Sequence, residues 1–282
     1  MHDMWPCTGI CHHARDCEKF QTECESCFFL KSKGKDLSTS VFDKKMSLYK
    51  DANITFVGCS RWLSGRAKKS YLLRGKAVLS IPNPIDTKVY HPMDQGMARE
   101  LLGLPSGKRL LLFGALNVTD KRKGIDYLIE ALRRMEKQDV ELVVFGQVKD
   151  DIRGLFPVPI HSMGYLSDES KIVALYNAVD MFITSSLEEN LPNTIMESMA
   201  CGTPCVGFEI GGIPEMIDHR VNGYVANYKD AGDLANGIQW VLEHEDRLAL
   251  SDACVKKVQE NYTEEVVAKQ YTALYEKLLK GE

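Results

Sequence analysis

From Lys108 onward the chain alternates short, unbroken apolar runs with stretches of helical period, and this rhythm restricts the fold more than any other feature. Residues 110–113, 142–145, 181–184 and 204–208 are continuous apolar runs, with a weaker one at 160–164. Strands that are apolar on both sides need cover on both faces. Between them Ile125, Leu128, Ile129, Leu132 and Met135 recur at helical spacing, and Ser167 before Asp168 and Glu169 reads as a helix start. Strands and helices in regular alternation predict an α/β domain over 108–260, built on a parallel sheet. Such sheets bind ligands at the carboxyl ends of their strands.

The rest is less regular. Residues 1–85 hold a Cys- and His-rich opening, a helical stretch at 41–50, a short strand at 54–57, a basic helix at 60–73 and a strand at 78–81. Pro82, Pro84 and Pro92 interrupt regular structure and suggest a linker at 86–107. Helices are expected at 231–242 and 244–259, and a last one within 261–282 that packs back on the N-terminal part. With 282 residues, 44% of them apolar, one large domain or two ordinary ones can be built. A net charge of -4 offers no basic excess for a nucleic-acid partner. No run of about 18 apolar residues is present to span a membrane. The opening Met1-His2-Asp3 lacks the basic start and apolar segment of a signal peptide, so a cytoplasmic setting is expected. The basic stretch 61–76 offers one route to peripheral contact with the inner face of a membrane; a solvated helix face is the plainer reading.

Chemistry concentrates in residues 185–203. Glu189 and Glu197 stand there with seven residues between them. A strand leads into a polar loop, and a helix begins after Pro192, with Ile195, Met196 and Met199 apolar and Gly202 as its stop. Glu189 falls in the loop and Glu197 about one turn into the helix. The first amides of that helix, on Asn193, Thr194 and Ile195, lie between the two carboxylates and form an anion site. Carboxylates accept hydrogen bonds from hydroxyls, and a helix N-terminus attracts negative charge, so a diphosphate carrying sugars suits this arrangement. The loop from Asn117 to Gly124 also joins a strand to a helix and offers Lys121, Arg122 and Lys123. Taken alone, either loop is equally consistent with solvated surface charge.

These residues resemble the Glu-x7-Glu motif of retaining glycosyltransferases with the GT-B fold, in the large family numbered four. The stretch from Met199 to Val206, then Gly211 to Glu215, then Asn222 and Gly223 continue the family pattern in order. The resemblance implies two Rossmann-like domains. Residues 108–260 match a complete nucleotide-sugar-binding domain, and 1–85 match only part of an acceptor-side domain, so the chain reads as N-terminally truncated. It further implies transfer from a UDP- or GDP-sugar to a saccharide or lipid-linked acceptor, with retention, in polysaccharide or O-antigen biosynthesis. No cofactor is implied for catalysis, because Lys, Arg and backbone N–H groups stabilise the leaving diphosphate. By the same resemblance Glu197 binds the donor ribose, and Glu189 meets the transferred sugar or the charge at its anomeric carbon. Lys123, beside Gly124, binds phosphate, as do the amides of Asn193 to Ile195. Gly164 and Tyr165 lie where the base binds, and His2 resembles the first-domain His that reaches the donor sugar. An Arg commonly follows the Gly corresponding to Gly114; this chain has Ala115 there, and Arg122 is the expected substitute. A donor-binding module without turnover and a sugar epimerase of the same fold are the functional rivals.

Cys11, Cys17, Cys24 and Cys27 crowd into the opening, the last two at the spacing of a zinc knuckle. A structural zinc, free thiols and a disulfide all fit this run. Four thiolates would leave no open position on the metal, so a zinc here would be structural. Cys59, Cys201, Cys205 and Cys254 sit in apolar patterns and read as core.

Overall fold

The computed structural model describes residues 1–117, 120–135, 139–147 and 153–281. They divide into two compact units, Met1–Asn83 and Pro84–Glu282. In the first, α1 (Leu37–Lys50) starts a turn earlier than the expected 41–50. The cause is a capping box: the Asp36 carboxylate accepts the Ser38 and Thr39 amides, and the Thr39 hydroxyl receives the Asp36 amide. The strands β1 (Phe56–Gly58) and β2 (Val78–Ser80) pair in parallel and are joined across α2 (Arg61–Lys69). Lys45 ties the Cys-rich opening to α1: its buried ammonium donates to the carbonyls of Thr8 at 2.9 Å and Gly9 at 3.0 Å.

Cys11, Cys17, Cys24 and Cys27 are free, and among the described residues no three His, Cys, Asp or Glu side chains form a group that could hold a metal ion. Cys24 and Cys27 are buried as apolar side chains, and the Cys24 sulfur accepts the Gly9 N–H at 3.3 Å. Burial pushes the Cys24 thiol up to about 11.

The second unit opens with α3 (Gln95–Leu102) and continues as β3 (Arg109–Asn117), α4 (Ile125–Arg134), β4 (Val140–Gln147), β5 (Ile160–Gly164), α5 (Glu169–Ala178), β6 (Met181–Thr184) and α6 (Asn193–Ala200). It closes with β7 (Cys205–Phe208), α7 (Ile213–Met216), β8 (Gly223–Ala226), α8 (Ala231–Leu242), α9 (Arg247–Asn261) and α10 (Glu264–Leu279). Six parallel strands run in the order β5-β4-β3-β6-β7-β8. Winding starts at β3, proceeds outward to β5, then returns to β6 and proceeds the other way. The switch point, where such sheets bind ligands, therefore lies between β3 and β6. Both faces are covered: Leu110, Leu111 and Leu112 of β3 and Met181, Phe182 and Ile183 of β6 are buried side by side. The helix expected at Ser167 is capped one residue later by Asp168, which accepts the Ser170 amide at 3.0 Å.

Residues 86–107, expected as a linker, belong to the second unit. The Arg99 side chain of α3 is buried; its Nε donates to the Ala178 carbonyl at 2.7 Å and its Nη2 pairs with Asp180 at 3.1 Å. The prolines stop regular strands, but a long-range ion pair anchors the stretch. Ile85, at the entry to the unit, donates its amide to Tyr262 at 2.8 Å, next to the start of α10.

Candidate active site

Two loops meet at the switch point. One follows β3 and ends in a 3-10 turn over Lys121–Lys123, capped by Asp120; Val118 and Thr119 within it lie outside the described residues. The other follows β6. They are bonded backbone to backbone, with the Leu187 amide donating to Arg122 at 2.7 Å, and the Ser185 hydroxyl donates to the Lys123 carbonyl at 3.0 Å. Gly124 makes this approach feasible. Its φ is +63°, and a Cβ there would stand 2.0 Å from the Ser185 carbonyl oxygen. Gly124→Ala is therefore expected to destabilise the unit by about 1–3 kcal/mol, the range for a strained backbone position. A lowered thermal midpoint would register it; an unchanged midpoint would mean that the loops separate without penalty.

The contact brings Lys123 and Glu189 together, Nζ to Oε1 at 2.5 Å, with only 14% of the Glu189 side chain exposed. The backbone of Glu189 is clamped from the other side. Gly211, at φ +61°, would place a Cβ 1.9 Å from the Glu189 carbonyl oxygen, and the Gly212 amide donates to Asn190 at 2.6 Å. That is the physical use of the paired glycines before Ile213.

The helix α6 begins at Asn193, shortly after Glu189 in the chain, and no side chain caps it. Asn193 is exposed and Thr194 half-buried, while the Ile195 amide donates to the Pro192 carbonyl at 3.1 Å. Of the three expected anion donors, Ile195 is thus engaged within the turn. Glu197 is half-buried one turn on, and its Oε2 accepts the Tyr176 hydroxyl at 2.7 Å. Burial pushes the Glu197 carboxyl up, and the Tyr176 hydrogen bond partly opposes this.

Arg122 is half-exposed and pairs with Asp120 through Nε at 3.1 Å and Nη2 at 2.7 Å, and the charges of Glu188 and Glu189 also reach it; Ala115 is buried. Gly164 ends β5 at φ +63°, followed by an exposed Tyr165; β4 lies between β5 and β3. His2 belongs to the first unit and is exposed there. Sequence reasoning missed Tyr176 and Phe145. Both sit in runs read as plain core, and the hydroxyl of Tyr176 in an apolar register was the one available sign.

A doubly wound parallel sheet with Lys and Glu loops at its switch point and a carboxylate inside the next helix defines a Rossmann-like domain of the GT-B type. The family model described as glycosyl transferases group 1 matches residues 107–244. N-acetyl-alpha-D-glucosaminyl L-malate synthase of Bacillus anthracis is 24% identical over 213 residues, covering 73% of this chain and 55% of its own. N,N'-diacetylbacillosaminyl-diphospho-undecaprenol alpha-1,3-N-acetylgalactosaminyltransferase of Campylobacter jejuni is 33% identical over 118 residues, covering 42% of this chain and 31% of its own. The chain spans about half the length of the curated relatives it matches. Among solved structures, HepE of Anabaena, in complex with UDP and glucose, superposes with a TM-score of 0.69 at 18% identity, covering 84% of this chain and 67% of that one.

Proposed function

We propose that this chain carries the donor site of a glycosyltransferase that moves a sugar from a UDP-sugar to a saccharide or lipid-linked acceptor, with retention. The observation that carries the reading is the meeting of Lys123 with Glu189, which shortly precedes the uncapped start of α6 in the chain, with Glu197 one turn further on. A departing diphosphate needs positive charge and N–H donors, and Lys123 with the first turn of α6 supplies both. In this reading the diphosphate draws the ammonium away from Glu189, whose carboxylate then faces the positive charge growing at the anomeric carbon. The bond from that carbon to the phosphate oxygen breaks, the acceptor oxygen attacks from the same face, and its proton passes to the leaving phosphate. Uridine is favoured over guanosine by the HepE complex.

Polysaccharide or O-antigen assembly is the setting, as the Campylobacter relative acts on a lipid-linked sugar by its name. No helix among the described residues is long and apolar enough to cross a membrane. The α2 cations Arg61, Arg66, Lys68 and Lys69, without an acidic residue among them, support peripheral contact at an anionic cytoplasmic face.

UDP at about 100 times its dissociation constant is expected to stabilise the protein by roughly 2.7 kcal/mol, and Glu197→Ala to abolish the effect. Thermal shift with UDP and GDP side by side checks this. A shift with neither nucleotide would withdraw the donor-site reading.

A further inference from the structure

Tyr176 lies wholly inside the second unit, on α5. Its ring stands edge-on to Phe145 at 6.3 Å and to Phe182 at 6.0 Å, so it cannot swing without displacing both. Phe145 is seated over Gly114, where a Cβ would stand 1.8 Å from its ring. A continuous stack thus runs from the end of β3 through β4 and α5 to the carboxylate on α6, which receives the Tyr176 hydroxyl at 2.7 Å.

We infer that Tyr176 is a positioning residue for the nucleotide: it fixes Oε2 of Glu197 by a hydrogen bond and leaves Oε1 to accept a ribose hydroxyl. This rests on the reading of Glu197 as the ribose-binding carboxylate. A carboxylate free to rotate would present its oxygens in many orientations, whereas the buried phenol holds one of them. The same bond favours the ionised form, which is the form with two acceptors. Burial and the nearby charge of Glu169 push the other way. The titratable groups that reach Glu197 are Tyr176 and Glu169 from α5, Tyr90 from the segment before α3, and Cys201 at the end of α6. None of these is a cation, so the phenol is the stabiliser of the carboxylate among them.

The sign follows. With the acid form raised by burial, nucleotide affinity falls as pH drops through the Glu197 midpoint. Removing the phenolic hydroxyl moves that fall to higher pH. UDP binding to the full chain, measured by calorimetry from pH 5.5 to pH 9, tests this with wild type, Tyr176→Phe and Glu197→Gln. A midpoint moved by one unit means that Tyr176→Phe loses about tenfold in affinity at low pH and regains most of it at high pH. Unchanged affinity at every pH would overturn the inference, and so would a loss by one constant factor, the mark of a merely structural residue. Either of those beside a Glu197→Gln protein that no longer binds would sink the role of Tyr176 alone. Glu197→Gln binding like wild type, or a wild type that binds no UDP, would remove the ribose-binding reading and this inference with it. Should Tyr176→Phe fail to fold, Phe145→Leu keeps the hydroxyl and loosens the ring. It is expected to weaken UDP binding more at low pH than at high pH, and unchanged binding or a loss by one constant factor would overturn the positioning role.

Discussion

Asp180→Ala is expected to destabilise the second unit by about 3–5 kcal/mol, the magnitude for stripping one partner from a buried ion pair. Asp180 stands at the head of β6 with its side chain 2% exposed. Its Oδ2 accepts the Leu110 amide at 2.7 Å and the Arg99 guanidinium at 3.1 Å, and its Oδ1 meets Arg247 at 2.5 Å and Arg109 at 3.5 Å. Arg109 and Arg247 are well exposed and can turn to water. Arg99 cannot, since its side chain is 6% exposed and its remaining donors are tied to the carbonyls of Ala178, Ser106 and Lys108. Loss of the carboxylate leaves a buried charge without a counter-ion and an orphaned amide on the central strand. Arg109→Ala, by contrast, removes an exposed partner and is expected to lower stability by less than about 1 kcal/mol. Urea unfolding with a common slope compares the two; similar midpoints would mean that Asp180 is not the anchor of this end of the sheet.

Lys123→Ala is expected to reduce sugar transfer by about 10²–10³-fold, the range for deleting one preorganised group that stabilises developing negative charge. The ammonium is preorganised from both directions. Asp120 caps the 3-10 turn that carries it, and Gly124 presses the turn against Ser185. Glu189 holds the ammonium at 2.5 Å. Because the two side chains act as a pair, Lys123→Ala and Glu189→Ala should combine with a penalty well below the sum of their separate effects. Initial rates of UDP release from a UDP-sugar with acceptor, for both single variants and the double variant, measure this. A Lys123→Ala enzyme within about threefold of wild type would mean that the diphosphate is stabilised elsewhere.

The elements of the second unit were largely legible in the chain. The strand read at 181–184 and the helix read at 231–242 have those bounds in the structure, and the weaker strand at 160–164 is there too. The signals for these are local: an unbroken apolar run, a helical period, a stop at Gly or Pro. The start of α1 was less legible, because a capping box must outcompete the loop around it before it counts as a signal. The stretch 86–107 was misread for a different reason. What holds Arg99 is Asp180, 81 residues away, and no local pattern announces such a partner.

By itself the sequence determined an α/β domain, the place of Glu189 in a loop, and the place of Glu197 on the helix that follows, since these depend only on neighbours along the chain. The tertiary structure alone decided that β3 and β6 lie side by side, so that Lys123 reaches Glu189 across 66 residues while Arg122 turns back to Asp120. It also decided that Tyr176 meets Glu197. Periodicity encodes which face of an element is buried, but partners are chosen by strand order and close packing, which bring together groups that the chain keeps apart.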